Sequence, residues 1–430
     1  MNPYYISNDK VKLNYYPCYS FEIGDVDGDG KMEFISMNQS GNQLQVHNLE
    51  GELLFEKELR NIGTWGTPII CVFDINGDGC DEVIVPNGES IIALDKRGNI
   101  TKEHIFEGCQ KDAYGICVPL LGAASVLSSE KPSLIAAVAS GIVYALDNDF
   151  NTIWKVDGLR RDFGHEIHFA DIDGDGFDEI AFCTVDDISA ETGADNVGDL
   201  VLLDHDGTIL LRKRVDALIN DTHFDDIAMS DFLGDGTSQV LVEKGLLLDI
   251  SGNIIWDLSD QMEHGQWIAH THNPNGKGRL CFISELWGGA MKSMLFTGQG
   301  KKIKDISDFA WVKPVDKNNF FIPTRCHTVN WESTSAPEIF FTQQGYINYE
   351  KNFSHYCDRT RRYKLNCLFM DIHGNQVGEL PFDDMQIEGY FYNGETHSKV
   401  ADVDGDGQQE IVFPKQDGRI MIIKKRVKKL

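Results

Sequence analysis

The chain has 430 residues, 42% of them hydrophobic, with a formal net charge of −28. That is ample for a large buried core, and such acidity argues against bare nucleic acid or an anionic membrane as partners. No apolar run approaches the roughly 20 residues that cross a bilayer as a helix.

The opening Met1-Asn-Pro-Tyr-Tyr5 lacks the basic and apolar regions of a secretory signal. The ten cysteines, at 18, 71, 80, 109, 117, 183, 281, 326, 357 and 367, form no CxxC pair. Cys71 and Cys183 lie in apolar runs. Free, buried thiols in a reducing, cytoplasmic compartment are therefore expected, and a zinc site is not.

In chain order, four stretches share one grammar: alternating acidic residues, a glycine turn, and a glutamate three residues after the glycine. They are Asp25, Asp27, Asp29 and Glu33; Asp74, Asn76, Asp78 and Glu82; Asp171, Asp173, Asp175 and Glu179; and Asp402, Asp404, Asp406 and Glu410. Carboxylates alternating on a tight turn converge their oxygens, and Ca²⁺ takes six to eight of them. About four structural Ca²⁺ sites are expected. Each loop is followed at once by an apolar strand-like run, unlike a helix-flanked calcium loop.

Each loop sits in a unit of roughly fifty residues. An apolar run precedes it, and a short strand, a glycine turn, a third strand, a turn and a fourth strand follow. In the second unit the strands read Ile69–Phe73, Glu82–Val85, Ser90–Leu94 and Asn99–Lys102. The third-strand signature occurs in eight copies, and four of them have lost the acidic loop: Ser125–Ser133, Asp231–Gln239, Thr271–Arg279 and Asn330–Glu338. Four short antiparallel strands repeated eight times predict an all-β fold, an eight-bladed β-propeller filling residues 1–430. The last copy, Gly418–Lys424, lacks its outer strand, and residues near Tyr4–Ile6 are expected to supply it and close the ring.

The starts of the first strands are rich in His, Arg and Tyr. Counted back from the first loop position, His165 stands at −6, His223 at −8, His264 at −7, and Arg325 and His397 at −5. His327 and Tyr392 lie in the same segments, and His168 sits deeper, where packing is expected. These side chains are expected to crowd the mouth opposite the Asp loops. Arg160, Arg161, Trp65, Trp267 and Arg361 are candidate substrate-binding residues there. A cationic, His-rich mouth on an acidic protein suits a carboxylate-bearing ligand, an acidic oligosaccharide. β-Elimination from a uronate needs a positive group on the carboxylate, a base for the C5 proton and an acid for the leaving oxygen. His and Tyr can serve as base and acid, and Arg or one further Ca²⁺ can neutralise the charge. Glycoside hydrolysis would need two flanking carboxylates instead, and Asp225, Asp226, Glu166 and Glu395 keep it open.

Three stretches carry a family resemblance: Asn61-Ile-Gly-Thr-Trp-Gly66 before the second loop, Gly164-His-Glu-Ile-His168 before the third, and Thr222-His-Phe-Asp-Asp-Ile-Ala-Met-Ser-Asp231. With the loops, they resemble the rhamnogalacturonan lyases of the eight-bladed type, and equally the propeller lyases that release terminal rhamnose from glucuronate. The resemblance implies a calcium-bearing lyase acting on a rhamnose- and uronate-containing glycan, with His165 and His223 in the pocket. A histidine expected near Trp65–Thr67 is missing. The shorter chain and cytoplasmic expectation favour an exo-acting enzyme. A non-catalytic, calcium-stabilised propeller that binds a glycan or protein is the reading from another class.

Overall fold

A computed structural model describes residues 3–15, 17–38, 40–60, 69–112, 115–128, 131–185, 197–262, 265–285, 293–305, 314–316, 319–331, 337–348, 362–363, 366–381, 385–386, 398–414 and 418–426. Their strands form eight antiparallel sheets built on a four-strand plan, with a fifth strand added to the seventh, and one small two-stranded sheet that pairs Arg362–Tyr363 with Met385–Gln386. Among the described residues the helical elements are two single 3₁₀ turns, Val215–Ala217 and Ser259–Gln261. No helix there is long and apolar enough to cross a membrane. The architecture is the eight-bladed β-propeller expected from the repeats.

Burial explains the strand patterns. In the second blade, Glu82–Pro86 and Ser90–Leu94 are buried along their whole length. Both faces of these middle strands are covered by neighbouring blades, so they read as unbroken apolar runs. The outer strand Ile100–Ile105 alternates because one face meets water. The buried apolar side chains fall into eight clusters, each joining two consecutive blades. One cluster sets Phe21, Phe34 and Leu49 of the first blade against Val403, Val412 and Ile422 of the eighth, so the ring is closed. Cys71, Cys117, Cys183 and Cys281 are buried free thiols inside these interfaces.

The closure is the one the sequence predicts. Tyr4–Asn8 pairs antiparallel with Ile420–Lys425, Tyr4 opposite Lys425 and Tyr5 opposite Lys424. The Tyr4 ring stacks on Phe369 with centroids 3.6 Å apart, and its hydroxyl donates to Glu338 Oε2 at 2.8 Å.

A second device ties blade to blade at the rim of the Asp loops. The turn glycine of one blade packs under an outer-strand side chain of the blade before it. Gly207, at φ +85°, lies beneath Trp154, whose indole N–H donates to His205 O at 2.8 Å. Gly300 lies beneath Trp256 in the same way, and that indole donates to Gly298 O at 2.9 Å. Turns that lost their acids still fold. In the fifth blade, Gly234 N–H and Gly236 N–H donate to the Asp231 carboxylate at 2.6 and 2.9 Å. Gln239 Oε1 there accepts the Phe232 N–H at 2.8 Å, as a loop glutamate would.

Candidate functional site: a histidine pair on a buried carboxylate

The first strand of the fourth blade, Asp162–Ala170, slips register between Phe163 and Ile167. Such an irregularity re-aims a side chain. Gly164 sits in the slip, and a Cβ there would lie 2.9 Å from Phe224 O. Its absence lets the segment before the fifth blade approach. The approach places His165 Nε2 3.5 Å from Asp225 Oδ1, and His223 Nε2 3.4 Å from the same oxygen. Both imidazoles are about a quarter exposed, at 26% and 29%, whereas Asp225 is 3% exposed. His223 Nδ1 also meets Thr222 Oγ1 at 2.9 Å. A buried carboxylate placed beside two imidazoles that reach the surface can orient both, an arrangement whose chemistry suits proton transfer.

Behind this trio lies a second, deeper layer. His168 Nε2 meets Asp226 Oδ1 at 3.0 Å, and Asp226 also accepts the Ile227 and Ile268 N–H groups at 2.8 and 2.6 Å. Burial alone would push the His168 imidazole down; the bond to Asp226 and the charges of Asp226 and Glu166 outweigh it and raise it. His168 is thus a charge partner rather than the packing residue expected. Asp226 is committed inside the protein, so it does not flank a glycosidic bond. The hairpin after Gln239–Val242 carries Glu243 and Lys244, both buried. Burial, with the Asp225 charge adding to it, pushes Glu243 well above the carboxylate range despite Lys244 beside it. Lys244 Nζ reaches Asp221 Oδ2 at 2.7 Å. Burial would lift Asp221, but this ammonium outweighs it and holds the carboxyl below its ordinary value.

The other expected residues are placed as follows. Arg160 Nε lies 3.4 Å from Asp199 Oδ2, which also takes Arg212 Nε at 2.9 Å. Arg161 reaches Lys111 O at 3.5 Å. Lys111 with Arg60, Asn87, Glu89 and Ser90 lines a cavity of about 430 Å³. Trp267 and His327 meet edge to face at 5.8 Å between the sixth and seventh blades. Arg325 is described only as part of the strand Asn319–Val329. His264, Tyr392, His397, Trp65 and Arg361 lie outside the described residues.

The Asp loops stand at the other end of the first strands, His165 and Asp171 being about 20 Å apart along an extended strand. Three gather acidic oxygens closely enough for a cation: Asp25, Asp27 and Asp29; Asp171, Asp173 and Glu179; Asp402, Asp404 and Glu410. His205 joins Asp175 and Glu179 in a further group at the third loop. In the second loop Asn76 instead turns its amide to Glu82 Oε1 at 2.5 Å. Burial, together with nearby Asp charges, pushes Glu33, Glu179 and Glu410 up to about 7. Glu179 Oε1 is buried without a hydrogen-bond partner, a vacant acceptor aimed at the Asp171–Asp175 cluster. That loop fits a cation. In the fourth loop Lys424 Nζ lies 2.7 Å from Asp404 Oδ2, 2.7 Å from Asp406 Oδ2 and 3.1 Å from Glu410 Oε1.

Sequence reasoning reached both histidines but not Glu243, Lys244 or Lys424. One signal was available for the first two. The hairpin positions that hold Glu243-Lys244 hold Ala139-Ser140 in the third blade, and a charged pair between the apolar runs Val240–Val242 and Leu246–Leu248 is abnormal.

The FG-GAP-like repeat family matches residues 25–85, which span the first two Asp loops. Among curated proteins, the chain is similar to rhamnogalacturonan exolyase YesX of Bacillus subtilis (strain 168), at 25% identity over 67% of this chain and 56% of that protein. The chain therefore spans little more than half the length of this relative. Among solved structures it is similar to BamB from Moraxella catarrhalis, with a TM-score of 0.54 at 11% identity over 98% of this chain and 99% of that one. The Dos1 propeller gives 0.52 at 11% identity over 97% and 95%. At such identities these structures speak to the fold alone.

Proposed function

We propose that this chain is a β-propeller lyase that cleaves a rhamnose- and uronate-containing glycan by β-elimination, acting from a chain end. The observation that carries the reading is the convergence of His165 and His223 on Asp225 Oδ1 at the strand-start face. The distant exolyase relative supports the substrate class. One imidazole takes the C5 proton, the other protonates the departing glycosidic oxygen, and Asp225 orients both. Arg161, and Arg160 beside Asp199, answer the uronate carboxylate. His264, Arg325, His327, Tyr392 and His397 are further candidates for the mouth, with Trp65, Trp267 and Arg361 for sugar contacts. Ca²⁺, held by the Asp and Glu side chains of the loops, would neutralise their charge and stiffen the opposite rim. The six described free cysteines suit a reducing, cytoplasmic setting.

The test is incubation with rhamnogalacturonan and rhamnosyl-glucuronate oligosaccharides, following the ultraviolet absorbance of an unsaturated uronate. Absorbance should grow with wild type, and fall about 10²-fold or more in kcat for His165→Ala, His223→Ala and Asp225→Asn. Reducing sugar without new absorbance would instead identify a hydrolase. Binding without any turnover would leave a recognition module and end the lyase reading.

A further inference from the structure

We propose that the fourth Asp loop carries its own cation: the Lys424 ammonium takes the place that a divalent ion takes in the other loops. The inference rests on reading the Asp loops as cation sites and is independent of the reaction at the mouth.

The blade register shows how a lysine comes to be there. Ile411 pairs with Ile423, so Glu410 stands opposite Lys424. In the second blade Val83 pairs with Leu94, which sets Glu82 opposite Asp95. In the fourth, Ile180 pairs with Leu203, which sets Glu179 opposite Asp204. In the first, Phe34 pairs with His47, and Glu33 faces Asn48. Lys424 thus occupies a position that holds Asp or Asn in the three other blades with an intact Asp loop.

Elsewhere that residue has a task. Asp95 Oδ1 accepts the Arg97 and Asn99 N–H groups at 2.9 and 2.8 Å, folding the turn into the outer strand. Asn48 Oδ1 does the same for Glu50 and Glu52 at 3.1 and 2.9 Å. The eighth blade has no such turn, because its outer strand arrives from the start of the chain, Tyr5 facing Lys424. Ring closure therefore frees the position from capping a turn, and a cationic side chain can stand there.

Its reach matches the vacancy. Lys424 is 15% exposed and touches one oxygen each of Asp404, Asp406 and Glu410. Asp402 keeps the loop's shape by accepting the Asp406 and Gly407 N–H groups at 3.0 and 2.8 Å. Glu410 Oε1, the counterpart of the unpartnered Glu179 Oε1, has a charge partner here. In the first loop the ammonium at hand, Lys31, meets Asp29 alone at 3.6 Å, with both groups nearly half exposed. A divalent ion in the fourth loop would have to expel an ammonium held by three carboxylates. The consequence is a ring whose closing blade needs no metal, while the other loops do.

The experiment counts ions. Wild type, Lys424→Met and Asp404→Asn are equilibrated with Ca²⁺, freed of excess, and assayed for bound metal per chain by mass spectrometry, with Tb³⁺ luminescence in parallel. Lys424→Met should hold one ion more than wild type, and Asp404→Asn the same number as wild type. A loss of one ion in Asp404→Asn overturns the proposal, and so does a folded Lys424→Met that gains none. If Lys424→Met does not fold, the Asp404→Asn count decides. A wild-type chain with no ion in any loop removes the premise as well, which separates that failure from a fault in the Lys424 assignment alone.

Discussion

Two neighbouring imidazoles, on the first strands of the fourth and sixth blades, are driven in opposite directions. Burial depresses His270 to about 4, and the positive charges of Arg279 and His168 add to it. The ring sits edge to face on Phe232 at 5.2 Å. His168 is raised, because Asp226 outweighs the cost of burying its charge. The signs follow. His270 stays neutral in the folded chain while the unfolded chain protonates near 6.5. Its stabilising contribution is complete above that value and is lost as pH falls towards about 4. His168 acts the other way: its contribution is complete below about 6.5 and lost as pH rises through its higher folded value. Between pH 7 and pH 5 the His270 contribution falls by about 2 kcal/mol. His270→Phe keeps the contact with Phe232 and removes the titration. Urea unfolding at the two pH values should show a wild-type loss larger than the variant's by about that amount; equal losses would contradict the assignment.

At the scale of the element, the blade is the unit the sequence spells out. The third strand of the second blade, Ser90–Leu94, is where the turn signals set it. Its first strand begins at Cys71 rather than Ile69, and its second runs one residue further, to Pro86. Such edges depend on pairing, which a pattern of apolar residues does not record. The Asp loops were legible because their ligands are close in sequence. The histidine–carboxylate trio was legible only as a crowd, because His165 and Asp225 lie in different blades and meet through a register slip at Gly164. Lys424 was illegible for the same reason: its partners come from the neighbouring strand and loop. The Trp154–Gly207 contact offers a test at this scale. An alanine Cβ at Gly207 would sit 2.9 Å from the Trp154 ring on a backbone with φ of +85°. Gly207→Ala should cost roughly 1–3 kcal/mol. Trp154→Leu should remove most of the ring's share of that penalty in the double variant, which a double-mutant cycle by chemical unfolding would measure.

The whole molecule is a ring of eight similar interfaces, and the two that flank the eighth blade join residues from opposite ends of the chain. Loss of any other contact weakens one joint between blades that remain covalently linked. Loss at the seam opens the circle. Tyr4 is the side chain best placed to test this. It is 3% exposed, stacked on Phe369, and its hydroxyl serves Glu338, which also accepts the Trp331 indole N–H at 2.8 Å and pairs with Lys425. Tyr4→Ala should cost roughly 3–5 kcal/mol for the lost ring, whereas Tyr4→Phe, which leaves the stack and removes one hydrogen bond, should cost about 1 kcal/mol. The larger effect should be topological. With the first strand released, Ile420–Lys425 becomes an unpaired sheet edge, which invites pairing with another chain. Tyr4→Ala should therefore be cut by proteases near both chain ends before the middle blades are touched, and should gain dimers or larger species with concentration, while Gly207→Ala does neither. Limited proteolysis read by mass spectrometry, with light scattering alongside, distinguishes the two. Cleavage scattered evenly over the blades in Tyr4→Ala would mean that the seam carries no more of the ring's integrity than any other joint.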